Sequence, residues 1–167
     1  TFQGNRAQRE SGTTYMEERF DGGAVFALSA IVLVTDSDVR NNTAERYGGG
    51  VFFESGEARL TRVILSGNGI SLTGGGGGAV GCLSSSVTLE NTTALHNSAT
   101  SGSSGGGGWF TFCPVLIQSS VWSHNVAGLH GGAFYFGMMS SPRFDSPENS
   151  LRNTISNNLA LHKTNAP

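Results

Sequence analysis

Charge is scarce in this chain. Only 13% of its residues are Asp, Glu, Lys or Arg, against about a quarter in ordinary soluble domains. A formal net charge of −2 supplies no basic excess to neutralise phosphates, which excludes an electrostatic nucleic-acid binder. Long apolar runs are missing too: no stretch approaches the roughly 18–20 residues of a membrane helix. Helix formers such as Glu, Lys and Gln are too few for a helical solenoid. The leucine pattern of a leucine-rich horseshoe is absent, and so are calcium-binding nonapeptides. No signal-peptide pattern opens the chain, which reads as a mature segment or a piece of a longer array. Gly, Ser, Thr and Asn fill the gap left by charge, a composition that permits disorder. Regularly placed Val, Leu, Ile and Phe argue against that.

What is present is a repeat. An apolar or small residue is followed three places later by asparagine, and two places on by another small or apolar residue. The copies run Phe2 to Ala7, Val39 to Ala44, Leu65 to Ile70, Ala94 to Ala99, Trp122 to Ala127 and Ile155 to Ala160, around Asn5, Asn42, Asn68, Asn97, Asn125 and Asn158. Between most of them a glycine pair opens an apolar run, as in Gly22-Gly23-Ala24-Val25-Phe26 and Gly77-Gly78-Ala79-Val80. Self-similarity at a nearly constant period means a repeat architecture.

Counting from the asparagine as zero, column −10 holds Val32, Ala58, Val87 and Val115, and column −8 holds Val34, Leu60, Leu89 and Ile117. Two residues apart, they share one face of a strand, and the mixed −9 column between them faces out. Columns −5 (Ser37, Val63, Thr92, Ser120) and −3 (Val39, Leu65, Ala94, Trp122) form a second inward pair beyond a short corner. The glycine-led run adds a third strand. Three short strands per repeat without helical periodicity predict an all-β parallel β-helix of about five coils. A β-sandwich gives no reason for asparagine at one fixed register. Stacked in register, the six asparagine amides are expected to form a ladder, with left-handed geometry tolerated at that corner. Alanine at +2 fits the inside of the bend, and the glycine pairs permit positive φ.

These repeats resemble those of the chlamydial polymorphic outer-membrane proteins, which alternate GGA-aliphatic and aromatic-x-x-Asn tetrads. Gly22-Gly23-Ala24-Val25 and Phe2-Gln3-Gly4-Asn5 follow the two halves, while Val39, Leu65, Ala94, Trp122 and Ile155 replace the phenylalanine. The resemblance covers nearly the whole chain and implies a right-handed β-helix displayed at a cell surface for adhesion or as a stalk. The chain is expected to be a single β-helix segment, residues 1–167, with insertions near 8–21, 71–76, 100–106 and 138–150.

Chemistry is sparse. Polysaccharide-cleaving β-helices need converging carboxylates, whereas Asp36 and Asp38 are followed in their columns by Arg62, Asn91, Ser119 and by Ile64, Thr93, Val121. Asp36 and Arg62 should pair on adjacent coils, and Glu17-Glu18-Arg19 with Asp21 reads as a solvated loop. His96 and His124 both occupy −1 and should stack outward, but two ligands without a third make a poor metal site. No cofactor and no metal are expected. Cys82 and Cys113 lie one repeat apart, as a disulfide or as two buried thiols. Asn41 and Asn91 head N-x-Thr sequons outside the inward columns, candidates for N-glycosylation.

The glycine-led strand is apolar on both sides, so one column, either Val25, Val51, Val80, Trp109 and Phe134 or its neighbour, must face outward. Val25, Phe26, Phe52, Phe53, Trp109, Phe110, Phe134 and Tyr135 are the candidate interface. It suits a neighbouring subunit, another part of the chain, a carbohydrate, or a covering loop from Arg9–Phe20 or Met138–Glu148. Neither end carries a cap pattern, which invites end-to-end pairing. The expected function is a non-enzymatic extracellular structural or adhesive β-helix, a building block of a cell-surface appendage or filament. Its partners would be further copies, laterally or end to end, or other surface proteins and glycans. A polysaccharide-binding or polysaccharide-cleaving β-helix is the alternative.

Overall fold

The computed structural model describes residues 1–7, 21–100, 102–145 and 152–161. Among them the chain is all-β and winds into a parallel β-helix with three sheets. The glycine-led sheet stacks five strands, Val25–Leu28, Val51–Glu54, Val80–Leu83, Gly108–Thr111 and Phe134–Phe136, which span about four full turns. The long sheet contains Ile31–Arg40 and Glu57–Ser66, each carrying both inward pairs. Later coils split it into Ser86–Glu90 with Thr93–Leu95 and Pro114–Gln118 with Val121–Ser123. The corner sheet stacks six two-residue strands, from Arg6–Ala7 to Leu159–Ala160. No helix is long and apolar enough to cross a membrane among the described residues.

The register follows the asparagine columns. Val32, Ala58, Val87 and Val115 lie side by side, as do Val39, Leu65, Ala94 and Trp122. Their side chains fill one core with Val51, Phe53, Val80 and Phe110. Ala44, Ile70, Ala99 and Ala127 form a separate small cluster inside the bend. Three of its four members are alanine, because the corner strand lies almost against the glycine-led turn, where a Cβ on Gly23 would lie 2.8 Å from the Thr43 nitrogen.

Four corners per coil take left-handed backbone. Asp36, Arg62, Asn91 and Ser119 at −6 make the bend between the two inward pairs, each with φ between 46 and 55°. At the asparagine corner the left-handed residue is −1, namely Gly4, Asn41, Gly67, His96, His124 and Asn157. The ladder asparagines themselves are not left-handed, which corrects the expectation, because their side chains must turn inward to bond. The left-handed glycine opens the turn, at Gly22, Gly48, Gly77, Gly105 and Gly131, so the expected pairs Gly49-Gly50 and Gly107-Gly108 contain none. The glycine after it is required by proximity: a Cβ on Gly78 would lie 2.6 Å from the backbone nitrogen of Ser98 and collide with the Gly106 carbonyl.

Each ladder amide clamps three coils. Nδ2 of Asn68 donates to Oδ1 of Asn97 at 3.0 Å and to the Val39 carbonyl of the preceding coil at 2.9 Å. Its backbone N–H donates to the same Oδ1 at 2.9 Å. The same pattern joins Asn42 to Asn68 and Asn97 to Asn125, all fully buried. A second polar ladder occupies −5. Ser120 Oγ accepts the Thr92 N–H, and Asn153 Oδ1 accepts the Ser120 N–H at 2.9 Å. The hydroxyl residues at −5 were its only sequence signal.

The insertions resolve unequally. Residues 71–76 and 102–106 stack on each other, with Ser103 Oγ and Thr100 Oγ1 both donating to the Leu72 carbonyl at 3.0 Å. Met138–Glu148 is not a covering loop over its described length. Ser141–Asp145 is a strand of the long sheet that places Pro142 beside Val115 and Phe144 beside Ile117. The expected covering loop at Arg9–Phe20, with Glu17, Glu18 and Arg19, lies outside the described residues.

Candidate functional site: an outward ring stack

The glycine-led strand has a different register from the one expected. Gly108, not Trp109, lies beside Val80, and Trp109 lies beside Gly81. The outward column is therefore Phe26, Phe52, Gly81, Trp109 and Tyr135. Val25, Phe53, Phe110 and Phe134 point inward and pack in or against the core, so they leave the candidate interface. The reason is local. Four glycines in a row, Gly105–Gly108, left the alignment open by one residue, and one residue flips every side chain of a strand.

Phe26 is 42% exposed, whereas Phe52 in the same column is 1% exposed. Tyr47, which sequence reading passed over, explains the difference. It sits at the corner before the glycine pair, bridged to Gly76 and through it to Ser104. Its ring stacks on Phe52 at 5.6 Å and meets Trp109 at 4.7 Å, while Phe26 stacks on Phe52 at 5.9 Å with planes 7° apart. Missing side chains make the room: a Cβ on Gly81 would lie 2.7 Å from Phe52 Cδ2, and one on Gly76 would collide with the Trp109 ring. The Arg46 guanidinium carbon lies 5.0 Å from the Tyr47 ring centre, close enough for a cation–π contact.

This geometry decides what the stripe offers. At these separations and small tilts the faces of Phe26, Phe52 and Tyr47 are turned to one another along the coil axis. Phe52 is buried between the other two, and the exposed surface of the stack comes from Phe26, Tyr47 and Arg46. Faces turned to one another add ring contact between coils.

Comparison with protein-family models, curated proteins and solved structures returned no match.

The remaining candidates are surface features. Arg62 binds Asp36 through two hydrogen bonds of 2.6 and 2.7 Å, and Arg59 binds Glu90 at 2.6 Å. Hydrogen bonding from Arg62 holds the Asp36 carboxyl below its usual range. A lowered carboxyl stabilises the fold above that range and loses the contribution as pH falls through it, but this pair is exposed and worth little. Asn41 and Asn91 are exposed, on left-handed corners with φ of 53 and 49°. His96 and His124 stack outward at 5.0 Å. No cluster of three or more His, Cys, Asp or Glu that would hold a metal occurs among the described residues. Cys82 and Cys113 are joined in a buried disulfide. They are not equivalent positions: Cys82 lies beside Phe110, and Cys113 reaches back from three residues further on.

Proposed function

We propose that this chain is a non-enzymatic structural β-helix of an extracellular or cell-surface protein, a building block of an appendage or filament. That is also the role implied by its resemblance to polymorphic outer-membrane protein repeats. The observation that carries the reading is the asparagine ladder. Between successive ladder amides, Nδ2 always donates to the Oδ1 of the following coil and Oδ1 always accepts from the preceding one. Coils of uniform polarity add without limit, whether from the same chain or from another copy.

The disulfide supports the compartment, since such bonds persist in oxidising surroundings. It closes a loop with a sequence separation of 31, and a cross-link of that span stabilises by about 3 kcal/mol. Adding reductant, or making Cys82→Ala with Cys113→Ala, should lower the urea midpoint accordingly. Equal midpoints would remove this support. The reading as a whole is tested by electron microscopy of protein secreted from a eukaryotic host, with mass spectrometry on the same sample. Elongated or fibrous particles carrying glycans at Asn41 or Asn91 are expected. Monodisperse, unglycosylated globules would overturn the filament.

A further inference from the structure

His96 and His124 occupy the same column on adjacent coils, both left-handed with φ of 54 and 55°. Their backbone N–H groups are held by the Ser123 and Ser156 carbonyls at 3.2 and 3.3 Å. The residues that follow them, Asn97 and Asn125, are fixed in the buried ladder. Both Cα–Cβ directions are thus set before any ligand arrives. Both side chains are exposed, and the rings stack with centroids 5.0 Å apart and planes 28° from parallel.

One further contact distinguishes this pair from two solvated turn residues. Nδ1 of His124 lies 2.6 Å from Ser123 Oγ, which itself accepts a hydrogen bond from Ser156 Oγ at 3.3 Å. Ser123 is buried, so this is a fixed partner behind the ring. Metal-bound histidines use their second nitrogen in this way, donating N–H to an oxygen that orients the ring. In the tautomer that donates Nδ1–H to Ser123, Nε2 of the exposed His124 carries the lone pair.

We propose that His96 and His124 form a two-histidine surface site for a divalent transition-metal ion of the nickel, copper or zinc class, with water completing the coordination. Imidazole nitrogen suits these ions. Metal–nitrogen bonds of about 2.0–2.1 Å put two neighbouring ligand nitrogens about 3 Å apart, with in-plane lone pairs converging on the ion. The rings, stacked here with centroids 5.0 Å apart, must therefore turn out of the stack to bind, a change of rotamer open to the exposed His96. Gly67, the neighbour of His96 in the column, leaves space on that side, and the exposed Asn157 flanks His124 on the other. The site is independent of the filament reading. It gives the surface a metal-responsive contact, because an ion with open positions can be shared with a ligand from another molecule.

The test is calorimetric titration of the whole chain with Ni²⁺ alone at neutral pH. One ion per chain is expected. Affinity should fall about tenfold or more in either His96→Gly or His124→Gly, because the second ligand acts at high effective concentration, and binding at this site should be lost in the double variant. Glycine already occupies this left-handed column at Gly67, so these variants keep the backbone. His130→Gln should leave affinity unchanged. As a readout that needs no variant, sub-stoichiometric Ni²⁺ should broaden the His96 and His124 ring resonances before those of His130 and His162. Equal broadening of all four, or single variants that bind as tightly as the parent, would overturn the site.

Discussion

Asn97→Ala should lower the unfolding free energy by about 3–6 kcal/mol. The side chain is fully buried, and four hydrogen bonds end on its amide. Its Oδ1 accepts both the backbone N–H and the Nδ2–H of Asn68, and its Nδ2 donates to the Leu65 carbonyl and to Asn125 Oδ1. Alanine leaves two buried donors and a buried carbonyl without these partners, and each such group costs about 1–3 kcal/mol. Folded domains hold only about 5–15 kcal/mol in total, so the variant sits at the edge of folding. Asn5→Ala removes the same amide from an exposed corner of the first described coil and should cost under about 1 kcal/mol. Urea unfolding of both compares them directly. If Asn97→Ala moves the midpoint no more than Asn5→Ala, the ladder is not what joins the coils.

Gly78→Ala should be at least as damaging. The added methyl group would meet backbone on two sides, the Ser98 nitrogen and carbonyl of the corner strand and the Gly106 carbonyl of the next coil. Backbone in a stacked sheet cannot rotate away as a side chain can, so relief requires coils to separate or the corner to open. Overpacking a core costs typically about 1–3 kcal/mol, and a clash against hydrogen-bonded backbone also breaks the bonds that hold it. Gly78 N–H donates to the Gly105 carbonyl, and Ser98 N–H to the Asn68 carbonyl. A loss above about 4 kcal/mol is expected, seen as failure to fold or as a large drop in melting temperature. Gly4→Asn is the control. Gly4 has φ of 68° with open space around its Cβ direction, and asparagine tolerates that conformation. A Gly78→Ala protein as stable as the control would show that the two layers have room to slide.

Both variants bear on the same point about function. The residues repeated most regularly here serve the stacking of coils, so recognition has to use the outer columns. Those differ from coil to coil: Arg59 and Glu90 pair on one face, the Phe26–Phe52–Tyr47 rings line another, and His96 and His124 stand at the asparagine corner.

Much of this was legible in the amino-acid order. The asparagine spacing determined the coil, and the alternation at −10, −8, −5 and −3 determined which side chains face the core, because strand side chains alternate strictly. The outward placement of the Asp36–Arg62 pair and of both histidines followed from the same count. The glycine-led strand did not yield to it. Apolar on both sides and preceded by four glycines at 105–108, it carries no alternation to fix its face, and only pairing Gly108 with Val80 decides that Trp109 looks outward. Tyr47 enters the ring stack from a neighbouring corner, into space left by Gly76 and Gly81, a relation between coils that no single repeat contains. The disulfide is of the same kind, since Cys82 and Cys113 meet three residues out of register. Sequence determined the period and the core; the stacking of unlike coils decided the surface, because outer side chains answer to neighbours above and below rather than to neighbours in the chain.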